Sequence, residues 1–145
     1  MWNEKSFDEL TTEELFQIYY MRTSIFVVEQ NRIFQEVDEN DLKAIHIFKM
    51  EDNKVVAYAR VFERNDHVTF GRFGVAKSAR GKGLANELIQ HVLEVIKDTF
   101  WSKQIKITAQ VPVAKFYEKW GFTTEGQPFM FESTPHITMN HDKLK

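Results

Sequence analysis

The chain has 145 residues, enough for one ordinary domain and short for two. Its 43% hydrophobic and 28% charged residues are those of a globular protein, and a net charge of −2 gives no broad attraction to nucleic acid. The absence of cysteine excludes disulfides, thiolate metal sites and a cysteine nucleophile, and no uncharged apolar run approaches membrane-spanning length. The opening MWNEKSFDEL does not read as a signal peptide, so a cytoplasmic protein is expected.

Residues 1–10 read as a first strand with Trp2 and Phe7 available for burial. Thr11 followed by Glu14 fits a capping box, and Leu15, Ile18, Tyr19, Arg22 and Phe26 continue at helical spacing, which predicts a helix over 12–28. Residues 29–43 are acidic and irregular; Glu36, Asp38, Glu39 and Asp41 are expected on a solvated loop. Strands at 44–50 and 55–63 around the turn 51–54 form a hairpin, and a third strand follows at 68–75. From Leu84, an apolar stripe through Leu88, Val92, Val95, Ile96 and Thr99 predicts a helix over 84–99. A strand at 104–109, a helix over 113–120 opened by Pro112 and ended at Gly121, strand segments 122–125 and 129–132, and a last strand 137–140 complete the chain.

The stretch between the third strand and the long helix carries the clearest chemistry. Arg80-Gly81-Lys82-Gly83-Leu84-Ala85 is a glycine turn at a helix start, where several N–H groups lack internal partners and the helix dipole adds positive charge. Lys77, Arg80 and Lys82 add full charges. An anion site for a phosphate or pyrophosphate is one reading; glycine kept only for close helix–sheet packing is the other. Neither G-x-G-x-x-G nor G-x-x-x-x-G-K-[ST] is present.

The same six residues match the [QR]-x-x-G-x-[GA] pattern of the GNAT N-acetyltransferase superfamily, and Tyr117-Glu118-Lys119-Trp120-Gly121-Phe122 resembles its Y-E-K-x-G-F helix. Arg22 to Gln30, Asp38 to Asp41, His46, Ala109-Gln110 and Pro135 to Met139 resemble the ElaA-like branch of that family. Two departures stand out. Asn31-Arg32 occupies a place where the branch often has cysteine, and Glu132-Ser133-Thr134 replaces a glycine-containing turn. The resemblance implies a mixed α/β (α+β) fold with a central sheet of about six or seven strands flanked by helices, one domain over 1–145. The implied activity is transfer of an acetyl group from acetyl-coenzyme A to an amine by direct attack in a ternary complex. The alternative is a non-catalytic acyl-coenzyme A-binding regulatory module. A third reading, ATP bound at the same turn, lacks an accompanying pattern of Mg²⁺ ligands.

On this likeness the coenzyme is held by Phe73, Gly74, Val75, Arg80, Gly81, Lys82, Gly83, Leu84, Ala85, Gln110 and Phe116. Val75 supplies the N–H for the developing oxyanion. Tyr117 is the acid that protonates the departing thiolate. Glu29, His46 or Glu36 is the base for the acceptor amine, Glu29 alternatively ending the first helix or pairing with Arg22, and Arg22, Glu36, Asp38 and His136 border the acceptor. The acidic loop points to a small cationic amine or a peptide amine. His46, His67, His91, His136 and His141 show no ligand spacing, so no metal is expected, and neither nucleic acid nor membrane is an expected partner. Edge strands near the C-terminus leave room for a homodimer.

Overall fold

In the computed structural model, which describes residues 1–144, the first helix begins where the capping pattern places it. Thr11 Oγ1 accepts from the Glu14 N–H at 3.1 Å, and the Glu14 carboxylate accepts from the Thr11 N–H at 2.9 Å, opening α1 (Thr12–Arg22). The expected continuation to residue 28 is helical but not α. Residues Thr23–Glu29 widen into a π-helix. The N–H groups of Gln30 and Arg32 bond the carbonyls five residues back, Ile25 and Val27, at 3.2 and 3.0 Å. The Ser24 hydroxyl donates to the Tyr20 carbonyl at 2.8 Å, a local bond that competes with the helical ladder.

Seven strands form one sheet: β1 (Trp2–Ser6), β2 (Ile45–Glu51), β3 (Lys54–Glu63), β4 (His67–Val75), β5 (Gln104–Gln110), β6 (Thr123–Phe131) and β7 (Thr134–His141). Their order is β1-β2-β3-β4-β5-β7-β6. The two segments expected on either side of Gly126 and Pro128 are one strand, β6, whose register shifts between Glu125 and Phe129. Every pairing is antiparallel except β4 with β5, joined by α3 (Leu84–Phe100). The α3 stripe of Leu88, Ile89, Val92, Val95 and Ile96 packs against Ile47, Ala57, Ala59 and Val61 of the sheet. Thr99, read as part of that stripe, is exposed. Ile18, Met21, Ile25 and Phe26 cover the other face over Phe48, Val55 and Tyr58. Eight consecutive buried residues in β3 follow, because helices cover that strand on both sides. Among the described residues no helix is long and apolar enough to cross a membrane.

Two irregularities shape the molecule. The parallel pairing of β4 and β5 is confined to His67↔Gln104 and Val68↔Ile105, so their C-terminal halves separate. The β3–β4 register also shifts: Tyr58 faces Gly74 and Arg60 faces Gly71, leaving Arg72 and Phe73 opposite Ala59. Arg72 takes φ +50° in this bulge, a conformation that costs a non-glycine residue about 1–3 kcal/mol and redirects its side chain.

The acidic run 36–41 is not a solvated loop. It folds onto the sheet, with α2 (Asn40–Lys43) at its end; Glu36, Asp38 and Asp41 are matched by arginines from three other elements, while Glu39 stays exposed as expected. Arg22 is fully buried. Its Nε donates to Glu36 Oε2 at 2.9 Å, and its Nη1 and Nη2 donate to Asp41 Oδ1 and Oδ2 at 2.7 and 3.1 Å. Arg60 bridges Asp38 at 2.6 and 3.0 Å and Asp41 at 3.0 Å. Arg72 Nη2 donates to the Glu36 carbonyl at 2.7 Å, and its Nε lies 2.8 Å from Glu36 Oε2 without the alignment of a hydrogen bond. Burial alone would raise the Asp41 carboxyl, yet the hydrogen bonds and charge of Arg22, with Arg60, hold it below the ordinary carboxylate range.

Removing one partner from such a cluster leaves buried charge uncompensated. Arg22→Ala is expected to lose about 3–5 kcal/mol, measured by urea unfolding; a loss below 1 kcal/mol would show that the cluster does not hold the loop. Because Asp38 and Asp41 are depressed in the folded protein, their stabilisation is present above the ordinary carboxyl pKa. It is lost as pH falls through the lowered values.

Candidate active site

The separated halves of β4 and β5 open a cleft of about 700 Å³. One wall is Phe70 to Phe73 of β4, the other Ile107 to Gln110 of β5, and Tyr117 lies between them. The segment after the π-helix and the β6–β7 hairpin close the other end, on the side where an acceptor is expected, with Arg32, Phe34, Phe131 and His136.

At one end of the cleft the chain leaves β4 at Val75 and turns through residues 77–83 into α3. Gly81 and Gly83 have φ of +82° and +79°, and a Cβ added at either would meet no atom within 4 Å. Backbone conformation, not crowding, therefore demands glycine here. Gly83 sits at the N-cap, no side chain caps the helix, and its carbonyl accepts from the Glu87 N–H at 3.2 Å. The N–H groups of Leu84, Ala85 and Asn86 thus precede the first helical bond and point out of the helix start. The Leu84 side chain is buried in a small cluster with Val56 and Ala79, so only its backbone is available to a ligand. Gly74 is a position of close approach: a Cβ there would lie 3.3 Å from Phe26 Cζ of the π-helix.

Glu29 is not beside Arg22 and does not face the acceptor end. It reaches the turn, where its oxygens accept from Arg80 Nη1 and Nη2 at 2.6 and 2.8 Å while Arg80 Nε donates to the Val75 carbonyl at 3.0 Å. The Arg80 hydrogen bonds lower the Glu29 carboxyl below its ordinary value. Lys77 and Lys82 are exposed beside the turn.

Tyr117 is carried by α4 (Ala114–Glu118), a helix shorter than the expected 113–120 and preceded by a 3-10 turn at Val111–Val113. Its ring lies within 6 Å of Phe70, Phe73, Phe116 and Phe122, centroid to centroid. Burial pushes the phenol well up, so the hydroxyl keeps its proton. It bonds no side chain among the described residues and borders the cleft. Gln110, at the end of β5, donates to Gln30 Oε1 at 2.9 Å, and Phe116 packs on Phe73 at 5.8 Å.

His46 lies elsewhere. It is wholly buried, with Nε2 2.9 Å from the Asp41 carbonyl and Nδ1 2.6 Å from the Tyr58 hydroxyl. A carbonyl only accepts, so Nε2 carries the proton and Nδ1 accepts from Tyr58. Burial lowers its pKa and keeps it neutral. Glu36 and Arg22 are engaged in the buried ion cluster, and of the four acceptor-side candidates only Asp38 and His136 border the cleft. Glu36, Asp38 and Asp41 are paired with arginines, so these three acids present little free negative charge to the cleft.

His136 has the arrangement that His46 lacks. Its Nδ1 lies 2.8 Å from the Thr134 carbonyl, which fixes the proton on Nδ1 and leaves Nε2 a bare acceptor. Burial, with the nearby Arg32 charge, lowers its pKa and favours the neutral ring. Arg32, a branch departure that the sequence reading gave no role, is also a cleft residue. Its burial could not be read from a polar, irregular stretch. Among the described residues no group of His, Asp or Glu is arranged to hold a metal ion.

Comparison with known proteins places this geometry. Residues 15–143 match the acetyltransferase (GNAT) domain family. A UPF0039 protein of Schizosaccharomyces pombe is 36% identical over 138 residues, 93% of this chain and 92% of that protein. The crystal structure of Escherichia coli ElaA superposes with a TM-score of 0.93 at 30% identity, covering 98% of this chain and 99% of that one. That of an acyl-CoA N-acyltransferase from Pseudomonas aeruginosa gives 0.92 at 29% identity, covering 97% and 98%.

Because the left-handed backbone is the constraint at the turn, Gly83→Ala is expected to cost about 1–2 kcal/mol in urea unfolding. Gly71→Ala, at ordinary φ and equally open, should change stability by less than about 0.5 kcal/mol. Equal effects would refute the conformational account.

Proposed function

The chain belongs to the GNAT acetyltransferase family, on its ElaA-like branch, and from that premise we propose that it moves acetyl from acetyl-coenzyme A to an amine by direct attack. It is an acyl-coenzyme A-dependent acetyltransferase, and the proposal concerns the acyl group, the route and the residues. Residues 1–145 act as a single domain in this reading, in the cytoplasm, the compartment expected for a cysteine-free chain. The observation that carries it is a neutral, buried tyrosine between the arms of a splayed β4/β5 pair, next to an uncapped helix start.

The pyrophosphate of the coenzyme is taken by the N–H groups at Gly83–Ala85 and the charges of Lys77 and Lys82. Arg80 joins them when it exchanges Glu29 for phosphate. The pantetheine arm then runs between Phe73–Val75 and Gln110, alongside Phe116, with the carbonyl oxygen at the Val75 N–H. The amine nitrogen attacks the thioester carbon; the new C–N bond forms as the C–S bond breaks. The nitrogen passes its proton to His136 Nε2, and the thiolate takes the Tyr117 phenolic proton, which solvent restores. His136 replaces Glu29, His46 and Glu36 as the base because, unlike those three, it combines a cleft position with a bare ring nitrogen. It sits beside Phe129 and Phe131 at the hairpin end, whereas His67, also on the cleft, is tied to the exposed Asp66.

Tyr117→Phe tests the acid. Turnover should fall roughly 10–100-fold in kcat, while acetyl-coenzyme A raises the melting temperature of the variant as it does that of the wild type. Unchanged turnover removes Tyr117 from the role, and a coenzyme that stabilises neither protein removes the whole reading.

The base has its own signature. A base works when neutral and His136 is depressed below 6.5, so kcat at saturating acceptor should be flat near neutrality and fall only as pH drops below that value. In His136→Gln the acid limb disappears and kcat drops about 10²–10⁴-fold. Persistence of the limb would assign it to another group.

A further inference from the structure

Arg32 is a buried cation that no carboxylate among the described residues pairs directly: the Glu132 charge acts on it only through space, without a salt bridge. Only 8% of the residue is exposed, and it makes no salt bridge among the described residues. Its Nε donates to the Glu132 carbonyl at 3.1 Å, its Nη2 to the Phe131 carbonyl at 3.5 Å and its Nη1 to Gln30 Oε1 at 3.5 Å, all neutral acceptors. A guanidinium has five N–H groups, so two remain unassigned. Its carbon lies 4.5 Å from the centre of the Phe34 ring, and Arg72 lies 5.4 Å from the same centre.

The other cations bordering the cleft are engaged or solvated. Arg60 and Arg72 hold Glu36, Asp38 and Asp41, as described above. Lys106 lies 3.6 Å from Glu125, and Arg64 is exposed over Phe62. Burying an unpaired charge is costly, and natural structures keep one where a ligand supplies its partner. The planar fork of arginine fits a carboxylate with two parallel bonds.

We propose that Arg32 binds a carboxylate carried by the acceptor, so that the substrate class is a small compound with both an amine and a carboxylate. The carboxylate is held at Arg32 against Phe34, and the amine extends along the cleft to His136 Nε2 and the thioester. This rests on the acetyltransferase reading above and names its acceptor. It also reverses the charge expected from the acidic loop, whose Glu36, Asp38 and Asp41 are paired with arginines.

A second role for Arg32 is built into the same contacts, since it also clamps the Glu132-Ser133 turn. The experiment therefore separates ligand charge from folding. The ¹⁵N-labelled protein is titrated, with and without coenzyme A, with N-acetylglycine, N-acetylleucine, N-acetylphenylalanine and N-acetylglutamate and with their carboxamides, following the arginine Nε–H signals. At least one acid should move the Arg32 signal and bind about tenfold or more tighter than its amide, the scale of one charge-assisted interaction. In Arg32→Gln that acid–amide difference should vanish while coenzyme A still stabilises the protein, and Arg32→Lys should retain part of it.

If no acid exceeds its amide, or if the preference survives in Arg32→Gln, the proposal is overturned. Failure of the acetyltransferase reading looks different: acetyl-coenzyme A gives no stabilisation and none of the parent amines glycine, leucine, phenylalanine and glutamate is acetylated, while an acid still moves the Arg32 signal.

Discussion

The structure depends on Arg22. A guanidinium fully removed from water at the end of α1 must have its charge and its donors met, and Glu36 of the irregular stretch and Asp41 of the short α2 meet them. That demand draws residues 36–41 onto the sheet. It brings Asp38 to Arg60 and sets the Glu36 carbonyl where Arg72 can reach it from the β4 bulge. Three arginines and three carboxylates close into one neutral cluster, and at its inner edge the Tyr58 hydroxyl accepts from Arg22 and donates to His46. The cluster forms the floor behind the acceptor end of the cleft. Acids that look like a substrate-facing patch are therefore structural, and the charge presented to an acceptor comes from elsewhere.

The cleft itself follows from a pairing that stops. β4 and β5 share two pairs and then part, and the aromatic cluster of Tyr117 borders the space between their ends. Parallel strands left unpaired expose backbone groups, and an extended ligand with amide groups of its own is suited to fill such a gap. The π-helix contributes from the opposite face. Its extra residue per turn presses Phe26 against Gly74, which has no side chain to resist, and sends Glu29 to the turn and Arg32 to the acceptor end. One irregularity thus delivers residues to both ends of the cleft, in keeping with the tendency of π segments to sit at functional sites.

The two positions at which this chain departs from its branch meet in space. Glu132 and Ser133 have φ of +48° and +66°, the two-residue turn that fits a β-hairpin but is usually made with glycine or asparagine. Arg32 donates to the carbonyls of Phe131 and Glu132, holding a turn that its own residues do not favour. A strained hairpin and an unusual arginine are one device, and it lies where an acceptor would be recognised.

Local chemistry sufficed for much of the molecule. The Thr11–Glu14 cap, the apolar stripe of α3, the hairpin strands and the glycine turn are legible in order because each is decided by neighbours within a few residues. The family patterns around Gly81–Ala85 and Tyr117–Phe122 carried the fold and the acyl donor. Tertiary structure alone decided the rest. Whether Glu36 and Asp41 face water, whether His46 or His136 borders the cleft, and whether Glu29 meets Arg22 or Arg80 all depend on contacts spanning five to fifty-one positions of chain. Composition is blind to them, because a charge run reads as solvated until its partners are known. Arg32 is the sharpest case. In the sequence it is a polar residue in an irregular loop, and only folding buries it on neutral carbonyl and amide acceptors with no ion-pair partner among the described residues.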